Sequence, residues 1–268
     1  LVTPQTQKPL RKFMARKPKI VDKHFEDISQ YKVDKEIKEN QPSNRLKIKI
    51  EDLKTLKPLT KNQKLFFDSY ANGDEAIMLY GSAGTGKTII SIYRSLETVL
   101  DKGNPYSKLI IVRPAVASRN QGFLPGDAAE KLAVFCEAYI NICSTLFNRS
   151  DAFTRLVEQN HLEVVSSSYL RGCTFDNAII IFEEFQNETW ANIQTVISRC
   201  GKNTKLILAG DFKQSDLNQS RNDQTGFNEL LKVAKIMDEF TLIEFDSSDI
   251  VRSKFVKNFI IACEKLDL

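Results

Sequence analysis

The chain has 268 residues, 42% hydrophobic and 27% charged, with a formal net charge of +4. That composition is the ordinary globular one, and the length allows one large domain or two small ones. No apolar run approaches the ~20 residues that span a bilayer, and no signal-peptide pattern opens the sequence, so a cytoplasmic location and no membrane partner are expected. Five cysteines with no C-x-x-C pair, beside only two histidines, argue against a disulfide framework and against a zinc site, and fit a reducing compartment.

Charge is uneven along the chain: residues 1–57 carry a net +7 and the remaining residues a net −3. A basic head on a slightly acidic body fits a polyanionic partner; a solvated leader with no partner explains it as well. Residues 1–44 are rich in Lys, Asp, Glu, Gln and Pro with little apolar periodicity, so residues 1–57 are expected to form a basic, partly flexible extension and 58–268 the folded domain. Leu46–Ile50 alternates as an edge strand would. Thr60 is placed to cap a helix running to about Ala71. Gln63 lies on that helix, where its amide could donate to and accept from an adenine edge or simply be exposed.

Ala76–Tyr80 predicts a buried strand and runs into Gly81-Ser82-Ala83-Gly84-Thr85-Gly86-Lys87-Thr88, the G-x-x-x-x-G-K-[ST] spacing of a phosphate-binding loop. The glycines let consecutive N–H groups point at phosphate oxygens, and the helix that follows adds its positive end. Lys87 is then a point charge for the β- and γ-phosphates, and the Thr88 hydroxyl a ligand for Mg²⁺.

That helix should stop at Gly103-Asn104-Pro105. A second strand, 108–112, delivers Arg113 to the carboxyl edge where ligands bind in α/β sheets. Gln121–Asp127 reads as a rigid loop exposing Phe123 and Leu124, with Asp127 capping a helix to about Arg149; a shorter helix near 151–160 and a strand at 162–165 follow. Ala178–Phe182 is apolar throughout and ends in Glu183 and Glu184, the pattern of a central strand delivering acids to the sheet edge. Adjacent strand residues point to opposite sides, which gives the two acids different tasks: Glu183 for the Mg²⁺ shell, Glu184 to orient and deprotonate a water. A helix Thr189–Cys200, a strand 205–209 ending in Gly210-Asp211-Phe212-Lys213-Gln214, a helix 225–237, a strand 240–245 and a last helix from Ser253 complete the pattern. Gln214 is placed to touch the γ-phosphate or the water. With five buried strands alternating with helices, the fold expected is α/β, a RecA-like P-loop core with a mostly parallel sheet.

These residues resemble the PhoH family of ATPases over roughly 56–265, in the short form that phage genomes carry; a phage-encoded chain would work in the host cytoplasm. The resemblance rests on the phosphate loop, Arg113-Pro114-Ala115-Val116, Gly122–Asp127, Arg171-Gly172-Cys173-Thr174, Glu183–Asn187, Gly210–Gln214 and Asp249-Ile250-Val251-Arg252. The core is also similar to the first motor domain of RecD-like helicases. Two positions depart from the family's Asp-Glu-Ala-Gln-Asn: Glu183 stands for Asp and Phe185 for Ala. The resemblance implies an ATP- and Mg²⁺-dependent hydrolase coupled to RNA or single-stranded nucleic acid, a helicase-like motor. The rival reading is a nucleotide-regulated oligomeric binding module; a small-molecule kinase fits less well, for want of a lid-like Arg cluster. An arginine from a neighbouring domain or subunit typically supplies ~10³–10⁵ in rate. A homo-oligomer, a hexameric ring, is therefore expected, with Arg199 or Arg252 reaching across its interface.

Overall fold

A computed structural model describes residues 47–114, 128–170, 172–211 and 226–266, with backbone alone for 128–135. The expected leader 1–44, the loop 121–127 with its Asp127 cap, Arg171 and Gln214 lie outside the described residues.

Six strands form one sheet: β1 Ala76–Gly81, β2 Lys108–Arg113, β3 Leu162–Ser166, β4 Ala178–Glu183, β5 Thr204–Ala209 and β6 Phe240–Phe245. The order is β3-β2-β4-β5-β1-β6, and every neighbouring pair is parallel. Parallel neighbours need crossovers, and helices supply them: α1 Lys61–Asn72 before β1, then α2 Lys87–Leu100, α3 Ala128–Phe147, α4 Ala152–Glu158, α5 Trp190–Ile197, α6 Phe227–Ala234 and α7 Lys254–Lys265. All six strands fall where the sequence places them, from 76–80 to 240–245. β6 is a half-exposed edge strand, whereas β4 is buried along its whole length.

The alternation within strands divides the core. Ile77, Leu79, Ile111, Ile179 and Ile181 meet Phe66, Ile90, Leu96 and Tyr139 on one face. Met78, Ile110, Ile180, Phe182 and Leu208 meet Ile193, Val196, Phe227 and Leu230 on the other. Both faces are dry, so these strands read in the sequence as unbroken apolar runs.

The caps fall where the residue types demand. Thr60 accepts from the Gln63 N–H at the start of α1, Gly73 closes it in the left-handed region, and Thr189 and Ser253 cap α5 and α7. One expectation fails: Lys47–Lys49 have no regular structure and Ile50–Asp52 form a 3-10 turn. Ile48 drops into the core, Ile50, Leu53 and Leu56 lean on it, and the Lys54 N–H donates to the Leu146 carbonyl at 2.9 Å. The alternating pattern is met by burying one isoleucine and leaving the lysines in water, with no ladder. Among the described residues, packing against the domain already includes Ile48.

Candidate active site

All six strands point their carboxyl ends at one edge, which brings the β1–α2 loop beside the ends of β4 and β5. The loop's shape is fixed from below. Gly81 has φ +116°, and a Cβ there would sit 2.0 Å from the Phe245 carbonyl oxygen of β6, so no side chain fits. The Ser82 N–H donates to that same carbonyl at 2.9 Å, and the Gly84 carbonyl accepts from the Val251 N–H at 3.1 Å. The Ser82 hydroxyl donates to Glu264 Oε1 on α7 at 2.6 Å.

Lys87, the first residue of α2, is 9% exposed. Its ammonium donates to the carbonyls of Ser82 (2.8 Å) and Gly81 (3.2 Å) and lies 3.4 Å from the Thr85 hydroxyl. Burial holds its pKa below the usual lysine range, while Asp211 foremost, then Glu183, Glu184 and Asp249, push it back up. A cation bonded chiefly to loop carbonyls, at a helix N-terminus, can exchange those carbonyls for phosphate oxygens.

Thr88 stands one residue on, and its hydroxyl donates to Glu183 Oε2 at 2.9 Å. Glu183 ends β4, in register with Ala209 of β5, and is 3% exposed. Its other oxygen, Oε1, is buried with no hydrogen-bond partner among the described residues. Burial raises its pKa from 4.5 to about 7, the Glu184 charge adding to the rise, against the Thr88 hydroxyl, Arg113 and Lys87. A buried carboxylate with an orphaned oxygen, beside a hydroxyl, fits a divalent cation. Among the described residues no group of three or more His, Cys, Asp or Glu is placed to cage a metal. Mg²⁺ needs no such cage, being commonly bound by one or two protein oxygens together with substrate phosphates and water.

Glu184 follows in the left-handed region, φ +52°. Its N–H donates to the Ala209 carbonyl at 2.8 Å and its Oε2 accepts from Gln186 Nε2 at 2.6 Å. Gly84, Lys87, Thr88, Glu183, Glu184, Asp211 and Arg252 line one cavity of about 390 Å³. A second, more apolar cavity of about 280 Å³ adjoins it, between Leu56, Leu59, Gln63, Ile89, Val251 and Arg252.

Several expectations change. Gln63 is 3% exposed and its amide is engaged: Nε2 donates to the Thr85 carbonyl at 2.9 Å and Oε1 accepts from the Leu59 N–H at 2.8 Å. It ties α1 to the phosphate loop, and it does not stand free on the helix. Arg252 does not need a neighbour to reach the cleft, since its side chain lies against Gly84 of its own chain, Cγ 3.1 Å from where a Cβ would be. Arg199 is at the opposite edge of the sheet, beyond α5, with Nη1 donating to the Cys173 carbonyl at 3.2 Å and Nη2 to the Ser198 hydroxyl at 3.1 Å. Sequence reasoning gave no role to Asp211 or Gln186. Asp211 follows Gly210 at the end of β5, and strand-end position was the signal available for it. Nothing in the sequence marks Gln186 as buried. Phe185 fills the core, stacked on Phe227 at 5.6 Å, and so anchors the loop after β4.

A parallel sheet with a G-x-x-x-x-G-K-T loop after its β1 strand and a buried acid bonded to that loop's Thr defines an α/β protein of the phosphate-loop class. Residues 55–264 match the family model described as PhoH-like protein, and the chain belongs to that family. It is similar to a PhoH-like protein of Bacillus subtilis (31% identical, 79% of this chain, 65% of that one) and to the protein PhoH of Escherichia coli (31%, 73% and 55%). The chain thus spans roughly half to two-thirds of the length of these relatives. Among solved structures, Pif1 helicase from Candida albicans aligns over 79% of this chain and 44% of its own at 18% identity, TM-score 0.40.

Proposed function

We propose that the protein is a Mg²⁺-dependent ATPase that couples hydrolysis to RNA or single-stranded nucleic acid. The observation that carries this is the convergence of Lys87, the Thr88–Glu183 pair and Glu184 on one cavity. ATP enters with its base in the adjoining apolar cavity and its phosphates along the loop. Lys87 takes the β- and γ-phosphate oxygens. Thr88 and Glu183 would hold Mg²⁺, which offsets charge on those oxygens. Glu184 accepts a proton from water as the water's oxygen bonds to the γ-phosphorus and the bond to ADP breaks. Arg252 reaches the cleft within the same chain, and Gln214 is assigned to the γ-phosphate by its place in Gly210–Gln214.

A second reading, the nucleotide-regulated oligomer, is favoured by one feature. α7 has no buried residue, leaves Phe255 80% and Phe259 61% exposed, and is tied to the phosphate loop through Glu264. A homo-oligomeric ring would cover that face. Glu184→Gln separates the two: a motor loses turnover while ATP still binds, whereas a switch keeps its assembly response. The rate of ATP hydrolysis with and without single-stranded RNA, repeated at raised salt, tests the coupling. Stimulation that fades with salt is expected; none at any salt removes nucleic acid from the reading.

A further inference from the structure

The seat of Glu184 is unusual in being built by one side chain. The backbone is turned into the left-handed region at this non-glycine residue, and the chain then enters a 3-10 turn, Phe185–Asn187, whose second residue is Gln186. Gln186 is 1% exposed, and its amide reaches back two residues to Glu184 Oε2 at 2.6 Å. The amide's other end lies beside the end of β5. A Cβ on Gly210 would come within 2.5 Å of Gln186 Oε1 and 2.7 Å of the Phe185 ring, so the glycine leaves the space that the amide occupies. Gly210 is itself fixed to β1, its N–H donating to the Leu79 carbonyl at 3.0 Å. A line of contacts therefore runs from the strand that carries the phosphate loop, through Gly210 and Gln186, to one oxygen of Glu184.

We infer that Gln186 is a positioning residue for hydrolysis: by holding Glu184 Oε2 it fixes the carboxylate so that the other oxygen takes the proton of the attacking water. This rests on Glu184 being the base. A carboxylate at the end of a freely rotating side chain spends little time in the one geometry that accepts that proton, and a displacement of about 1 Å can cost about a hundredfold. Gln186 touches neither nucleotide nor metal in this scheme, so its loss should act on turnover and leave binding alone.

Gln186→Met keeps the volume and removes the amide; Gln186→Glu keeps the shape and sets a second carboxylate against the first. Steady-state kinetics, ADP affinity by calorimetry and thermal melts are measured for both, alongside Glu184→Gln and the double variant Glu184→Gln/Gln186→Met. The expected result for Gln186→Met is a kcat lower by about ten- to a hundredfold, with KM, ADP affinity and melting temperature close to wild type. Gln186→Glu should be at least as slow, and Gln186→Met should cost nothing further once Glu184 is Gln. A Gln186→Met kcat near wild type, or a full additive loss in the double variant, overturns the inference. So does a Gln186→Glu variant that is folded and fast, because shape alone would then suffice. If Glu184→Gln itself hydrolyses ATP at the wild-type rate, the base assignment has failed, and that outcome is distinct from the others.

Discussion

Among the described residues two lysines are buried, one at each edge of the sheet, and they live in opposite conditions. Lys205, near the start of β5, is 3% exposed. Its ammonium donates to the Asp74 carbonyl and sits 4.9 Å from the centre of the Tyr70 ring. Burial lowers its pKa, and Asp74 and Glu75 offset that. Asp74 in turn accepts from the Ser69 and Thr241 hydroxyls. Every partner of Lys205 is a permanent part of the fold. Lys87 at the carboxyl edge is bonded to the carbonyls of its own loop, while Glu183, Glu184, Asp211 and Asp249 bear on it together. Charge is closed off at one edge. At the other, one Glu183 oxygen has no partner among the described residues, in the state that a cation and a phosphate chain would complete.

The largest expected effect separates the two lysines outright. Lys87→Ala should cut ATP turnover by roughly a hundred- to a thousandfold, the scale of losing one pre-aimed charge on a reacting oxyanion, while the melting temperature holds or rises. A collapse in melting temperature would make Lys87 as structural as Lys205 and end the contrast.

Next comes pH. Glu183 binds its proton more tightly folded (pKa about 7) than unfolded (4.5). Its contribution to stability is therefore fully present below pH 4.5 and lost as pH rises through 7. Urea melts of the metal-free protein at pH 5 and 7.5 should differ by up to a few kcal/mol from this group, and Glu183→Gln should flatten the slope. The carboxyls of Asp74, Asp151 and Asp246 are held below their ordinary 3.8 and titrate outside that window. An unchanged slope in the variant would show that the pH dependence comes from elsewhere.

Lys205→Met is expected to lower stability by about 1–3 kcal/mol, leaving the Asp74 carbonyl without its donor, with KM for ATP unmoved; a raised KM would connect the two edges. The smallest effect is expected at Arg199, where Arg199→Ala should leave hydrolysis within about twofold of wild type at all protein concentrations, because its two Nη groups serve Cys173 and Ser198, away from the cleft.

The sequence announces the sheet because strands dry on both faces are continuous apolar runs, and Ile179–Phe182 or Leu109–Val112 have no other plausible reading. The loop and the paired acids are equally plain, since their spacing is local. What escaped is long-range. Leu46–Ile50 has a strand's alternation, but a single buried Ile48 meets the pattern. Gln63 has a helix position suited to reading a base, yet its amide is engaged by the Leu59 N–H nearby and by the Thr85 carbonyl 22 residues away. Arg199 and Arg252 are alike as arginines at element ends, and only the fold places one on Gly84 and the other across the sheet. α5 ends at Ile197, before the expected Cys200, because Phe175 and Gly201 exchange backbone bonds with Arg199 and Phe175 there. Gln186 is polar and two residues past a strand, which normally means exposed.

The hydrogen bond from Ser82 to Glu264 spans 182 residues of sequence, and Phe245 and Val251 close on the loop from nearly as far. The ribosome therefore releases the glycine-rich segment with its upstream and local contacts at hand, Gln63 and Lys87, long before the downstream ones exist. During synthesis the loop's downstream supports, Phe245, Val251 and Glu264, arrive last. The working centre is thus finished by the last-made third of the domain, whatever the order in which the rest assembles.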